Sequence, residues 1–254
     1  MGSWQKGLVQ GLKKAGLGYR RLALSLSHRH CYLCRQSSKD LICGYCEHFI
    51  SPLTTHDNLL TSPDILKYLD TPQYDYLYAI GDYVWPFDFM VRDLKFNNKP
   101  VAGRALASLF YQRVFMLKIM AVNNVCEAPE KSDTSMLPEI LIPVPLSLRR
   151  YWQRGYNQSQ VLADWLTTHT HIPNAPLLRR VRHTKAQANL QKQDRIDNVD
   201  QAFECRLNGD YKHIAIIDDV LTTGATMNSA AQAVLKQNPH MTISVWCMAV
   251  TLVS

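Results

Sequence analysis

HIAIIDDVLTTGATM, residues 213–227, is the stretch on which the fold turns. Ile214–Ile217 is fully apolar, and a continuous apolar run of this length suits a strand buried on both faces. Asp218 and Asp219 follow, then a Thr/Gly loop, then the helical spacing of 227–237. A pair of acids at the carboxyl end of a buried strand stands where open α/β sheets place their ligands. The loop Thr222-Thr223-Gly224-Ala225-Thr226 opens a helix. It therefore offers successive backbone N–H groups, hydroxyls and the positive end of a helix dipole, which together cradle a phosphate dianion. Gly224 lets the backbone come close to such a group. The two carboxylates can accept hydrogen bonds from vicinal hydroxyls or help to hold a hydrated Mg²⁺. Phosphate and diol together describe a phosphorylated ribose. The plainer alternative is a capped helix with Thr222 or Thr223 as N-cap, which needs one Thr and no acid pair. The chain contains neither a GK[ST] nor a GxGxxG pattern, which excludes a Walker A loop and a dinucleotide fingerprint.

The same pattern extends in both directions from this stretch. Residues 243–250 form a long apolar strand, 140–144 a short one ended by Pro145, and 158–168 carry helical spacing in Val161, Leu162, Trp165 and Leu166. From Glu139 onward strands and helices alternate, which predicts a parallel sheet covered by helices on both faces. Upstream, residues 75–89 (DYLYAIGDYVWPFDF) read as two aromatic strand segments around Gly81-Asp82, followed by helices near 88–97 and 101–121. Segments 123–138 and 183–200 are polar and aperiodic. There is no internal repeat.

A second constellation stands near the start. Cys31-Tyr-Leu-Cys34 and Cys43-Gly-Tyr-Cys46 are two CxxC knuckles, each able to turn two thiolates inward. Two knuckles complete a tetrahedron around Zn²⁺ and leave no open position, so Cys31, Cys34, Cys43 and Cys46 point to a structural metal. His30 and His48 flank them as reserve ligands. Residues 1–30 form a basic arm with Trp4, Leu8 and Leu12 on one helical stripe. Such an arm suits packing on the rest of the protein, a membrane surface or nucleic acid.

Composition sets the bounds. The chain has 254 residues, 46% hydrophobic and 19% charged, which excludes a disordered or collagen-like chain. No apolar run reaches the ~18 residues of a membrane-spanning helix. The net charge of +7 is uneven: residues 1–50 hold 8 basic and 2 acidic side chains, and residues 141–200 hold 9 and 4. Two separated basic regions suggest two anionic contacts. No secretory h-region is present, so the seven cysteines are expected in a reducing cytoplasm, where thiols bind metals rather than pair.

The segment 214–227 resembles the phosphoribosyl pyrophosphate (PRPP) motif of the type I phosphoribosyltransferases. Carried over by position, the resemblance implies that Asp218 and Asp219 hold the ribose 2′- and 3′-hydroxyls and act in any catalysis. It also places Val220, Leu221, Thr222, Thr223, Gly224, Ala225 and Thr226 along the 5-phosphate loop. The CxxC…CxxC start, Leu94-Lys95-Phe96, Arg154-Gly155-Tyr156-Asn157-Gln158, and Gln187-x-x-Leu190 with Arg195, Asn198, Val199 and Phe203 are similar, in that order, to the ComF/GntX family. The family often carries PLH after its first strand and Pro before the loop Gln, where this chain has Ser147 and Ala186.

The resemblance implies an α/β fold of the type I phosphoribosyltransferase kind, a parallel sheet flanked by helices, with a small four-cysteine zinc-binding unit at the N-terminal end. The corresponding organisation is an arm (1–30), a zinc unit (31–50) and a phosphoribosyltransferase-like domain (51–254, core 139–254). Ser147, Arg150 and Arg154 become candidates for the pyrophosphate, with Arg149 nearby. Residues 183–198 resemble the superfamily's mobile loop, with Lys185 and Arg195 as its cations. Members of the family are tied to DNA uptake in natural transformation or to use of external DNA as a nutrient. The implied ligands are PRPP with Mg²⁺ and Zn²⁺; the implied partners are single-stranded DNA and uptake proteins at the inner membrane surface. Three functions share the 218–226 site: a PRPP-binding factor for DNA uptake, an active phosphoribosyltransferase of nucleotide metabolism, and a PRPP-sensing regulator.

Overall fold

The computed structural model describes residues 30–50, 58–119, 137–181 and 202–251. The arm up to residue 29, Lys185 and Arg195 lie outside the described residues. Contacts divide the chain into two compact units, Met1–Glu47 and His48–Ser254. In the first, two cysteine knuckles lead into helix α1 (Gly44–Phe49). The second begins with a short helix α2 (Pro63–Leu66) and is built on a four-stranded sheet.

The sheet consists of β1 (Tyr76–Asp82), β2 (Ile140–Pro143), β5 (His213–Leu221) and β6 (Thr242–Val250), ordered β1-β6-β5-β2, and every pair is parallel. The central strands are rich in β-branched residues and buried almost end to end, as a sheet covered on both faces requires. On one face, helix α4 (Pro100–Phe110) packs on α3 (Phe87–Phe96) and α6 (Gln158–Thr170). Buried Phe110 meets Trp246 of β6 with ring centroids 5.1 Å apart. On the other, α7 (Ala225–Leu235) packs on β5 and on a small antiparallel pair, β3 (Leu178–Arg180) with β4 (Phe203–Cys205).

The structure differs from the sequence reading at three places. Residues 83–89 do not form a second strand. The Tyr83 N–H makes the last ladder bond, to Val250 O, and Pro86, which has no N–H to donate, stands as the N-cap of α3. The acid pair lies within β5, not beyond it, because pairing with β6 continues to Leu221 opposite Val250. The basic turn after β2 is a helix, α5 (Leu148–Arg154), and the β3–β4 pair was not anticipated.

Capping fixes where these elements start and stop. Asn157 caps α6 by accepting from the Ser159 N–H, and its amide donates to Val144 O at 2.9 Å. One side chain thus ties the start of α6 to the end of β2. Ser147 caps α5, and Gly155 ends it in the left-handed region at φ 76°. No helix among the described residues is long and apolar enough to cross a membrane.

Candidate functional site

Two candidate sites stand out, the cysteine unit and the acid-and-threonine edge of the sheet. In the first, the ligand atoms of Cys31, Cys34, Cys43 and Cys46 lie within 4.8 Å of one another. The Cys34 and Cys43 Sγ atoms are 3.7 Å apart. Four sulfurs about 2.3 Å from a tetrahedral Zn²⁺ would stand roughly 3.8 Å from each other, so the spacing fits the ion. The Cys31 thiol is buried, which opposes ionisation. Hydrogen bonds led by the Cys43 N–H overcome that and bring its pKa down to about 6. Burial and the neighbouring sulfurs push Cys46 the other way. Four crowded thiols cannot all ionise unaided, and a divalent cation removes that conflict. The cluster can hold a metal such as zinc, and neither flanking histidine belongs to it. Tyr32 is buried with Arg35 over its ring, whereas Tyr45 is 70% exposed.

The second site is a cavity of about 370 Å³ at the carboxyl end of β5. Asp218, Asp219, Val220, Leu221, Thr222, Gly224 and Thr226 line it, together with Arg150, Arg154, Arg180, Lys95 and Gln158. The sheet brings the acids to this edge, α5 carries Arg150 and Arg154 to the same cavity, and β3 carries Arg180. Asp218 Oδ1 accepts from the Ser159 hydroxyl at 2.8 Å and from the Asp219 N–H at 2.9 Å. Asp219 Oδ1 is 2.8 Å from the Lys95 ammonium, with side chains only 6% and 23% exposed. Burial first, and the Asp219 charge second, raise the Asp218 carboxyl to about 6 against the pull of Lys95 and Ser159.

The cations are crowded as well. Burial lowers the pKa of both Arg154 and Arg180, and Arg150 repels each of them, while the nearby aspartates act in the opposite sense. The Gln158 side chain is buried; its Oε1 accepts from Arg154 at 3.1 Å, and its Nε2 has no hydrogen-bond partner among the described residues. A buried donor without a partner is costly, and an oxyanion in the cavity would satisfy it.

At the loop, α7 is capped by Gly224 at φ 80° with no side-chain cap, so the simple Thr-capped helix does not hold. Thr223 is not part of the cavity lining: its carbonyl accepts from the Asp70 N–H at 3.3 Å, and its hydroxyl accepts from the Ala225 N–H at 3.4 Å. A Cβ on Gly224 would lie 3.4 Å from Leu69 and 3.5 Å from the Tyr74 hydroxyl, so the left-handed backbone rather than crowding selects glycine. Ser147 serves as the cap of α5 and does not line the cavity.

Lys95, Ser159 and Arg180 are site residues that sequence reasoning did not single out. Lys95 and Gln158 stood inside quoted motifs, a signal without a partner. Nothing local distinguishes Ser159 or Arg180.

No family model matches the chain. Curated proteins do. It is 32% identical over 224 residues to Competence protein F of Haemophilus influenzae, covering 86% of this chain and 89% of that one. It is 32% identical over 237 residues to DNA utilization protein YhgH of Salmonella typhimurium, covering 91% and 95%. Over 106 residues it is 34% identical to Competence protein ComFC of Bacillus subtilis, covering 41% and 42%.

Proposed function

The chain belongs to the ComF family, and from that premise we propose that it is a PRPP-binding, phosphoribosyltransferase-like protein that serves DNA uptake or the use of external DNA. The observation that carries the ligand is the pairing within one cavity of a Thr/Gly helix start and two acids, Asp219 buried and Asp218 half-buried, with three crowded arginines. The first half suits a phosphate and a diol; the second suits a pyrophosphate. In this reading Asp218 and Asp219 take the ribose hydroxyls, and residues 222–226 take the 5-phosphate. Arg150, Arg154, Arg180 and the Gln158 amide face the pyrophosphate. Mg²⁺ offsets the pyrophosphate charge, and Lys95 pairs with Asp219 at 2.8 Å before the ligand arrives. Lys185 and Arg195 are proposed as cations of a covering loop. The cysteine unit holds Zn²⁺ structurally, and the basic surfaces meet single-stranded DNA and uptake proteins in the cytoplasm.

Turnover of PRPP is a second reading. It is favoured by Asp218, whose carboxyl near 6 can take up or release a proton close to neutral pH. Calorimetry with PRPP and Mg²⁺ tests the shared core of both readings. Binding by the wild type that disappears in the Asp218→Asn/Asp219→Asn protein supports it, and equal affinity in the two proteins refutes it. Release of pyrophosphate in the presence of candidate acceptors separates turnover from binding alone.

A further inference from the structure

The helix α5, LRRYWQR, has no buried residue. Leu148, Tyr151 and Trp152 are 68%, 47% and 83% exposed. A helix in a globular domain normally hides an apolar stripe; this one displays its large side chains between Arg149, Arg150 and Arg154, with no acid among them. Phe96, the last residue of α3, is 69% exposed, and the Arg154 guanidinium lies 5.3 Å from the centre of its ring. Phe96, Trp152, Asn98, Lys95 and Arg154 line an open groove of about 380 Å³ that no carboxylate enters among the described residues. Lys95 and Arg154 also line the cavity at β5, so groove and cavity share a wall.

We infer that this groove is a base-stacking shelf for single-stranded nucleic acid, with Trp152 and Phe96 as the stacking rings and the arginines of α5 as phosphate contacts. Exposed aromatic faces set among cations are what an unpaired strand needs, because every base has a π-face and every nucleotide a charge. A duplex conceals its base faces, so it gains only the charge term. A free nucleobase needs an enclosed pocket that buries most of its surface, whereas Trp152 stands 83% exposed. The complementary charge selects a polyanion over an apolar peptide. The inference deepens the DNA-handling reading above and rests on it only for the biological setting; the shelf itself stands on α5 and Phe96. It puts the strand beside the phosphoribosyl cavity, so the two ligands meet across Lys95 and Arg154.

The test uses the full chain and an oligothymidylate of about 12 nucleotides, with an abasic oligomer of equal length as control. Affinities come from fluorescence anisotropy at fixed salt, and contact at the shelf is read from tryptophan emission. The expected result has three parts. Oligothymidylate quenches emission and the abasic strand does not. Trp152→Ala/Phe96→Ala weakens oligothymidylate binding about tenfold, within the range of one to two lost stacks. The same substitutions leave the abasic affinity unchanged. The inference is overturned if both oligomers bind the wild type alike, if the substituted protein keeps wild-type affinity for oligothymidylate, or if free thymidine binds as well as the oligomer. PRPP calorimetry on the same two proteins keeps the readings apart. Wild-type protein that stacks oligothymidylate but ignores PRPP refutes the cavity assignment and upholds the shelf.

Discussion

Asp218→Asn should stabilise the ligand-free protein while removing its function. The Asp218 carboxyl rises from its ordinary value of 3.8 to about 6, chiefly through burial and secondly through Asp219. The folded state therefore holds a proton that the unfolded chain releases between those two pH values. The resulting stability is fully present below pH 3.8 and is lost as the pH climbs through about 6. The shift corresponds to an upper bound of about 3 kcal/mol. Asparagine avoids that loss and still presents an oxygen to the Ser159 hydroxyl and the Asp219 N–H. Its advantage should thus be near zero at pH 4 and about 2–3 kcal/mol at pH 8, roughly 4–12 °C in Tm for a domain of this size. The assay is urea unfolding at both pH values without Mg²⁺, with wild type and variant compared at each pH so that any loss of metal from the cysteine unit at pH 4 is common to both. An Asp218→Asn protein less stable than wild type at pH 8, or equally advantaged at both pH values, would refute the reasoning.

Lys95→Met leaves the carboxylate of Asp219 buried without its cation, and should lower stability by about 2–4 kcal/mol in thermal unfolding at pH 7, near the cost of breaking a buried pair. Gly224→Ala places a side chain at φ 80°; a loss of about 1–2 kcal/mol is expected, together with weaker PRPP binding by calorimetry. Elemental analysis should find about one zinc per chain, lost from Cys34→Ser, and stripping it should expose the cysteine unit to protease first. Metal-free wild type with an unchanged cleavage pattern would count against the zinc assignment.

The sequence carried the local half of the site. Residues 213–227 are contiguous, so an apolar run, two acids, a Thr/Gly loop and a helical pattern could be read as β5, the turn after it and α7. The cysteine knuckles were legible for the same reason, since their spacing encodes their geometry. Partnership across the fold was not. Lys95 reaches Asp219 only because α3 packs beside the sheet. Ser159 reaches Asp218 across 59 residues of chain. Arg180 enters the cavity on a strand of three residues, too short to leave a period in the sequence. The stretch 83–89 was misread because Tyr83, Trp85, Phe87 and Phe89 alternate as strand residues do. Pro86 and the packing of Phe87, Met90, Val91 and Leu94 decide for a helix instead. The exposure of α5 was equally hidden, because LRRYWQR reads as a basic turn until its neighbours are known.

The most direct measurement is a crystal structure of the protein grown with ribose 5-phosphate and Mg²⁺. The account predicts the phosphate against the backbone of residues 222–226 at the start of α7, with the 2′- and 3′-hydroxyls on Asp218 and Asp219. A phosphate held instead by Arg150, Arg154 and Arg180 with the Thr/Gly loop empty, or no sugar in the cavity at all, would contradict it.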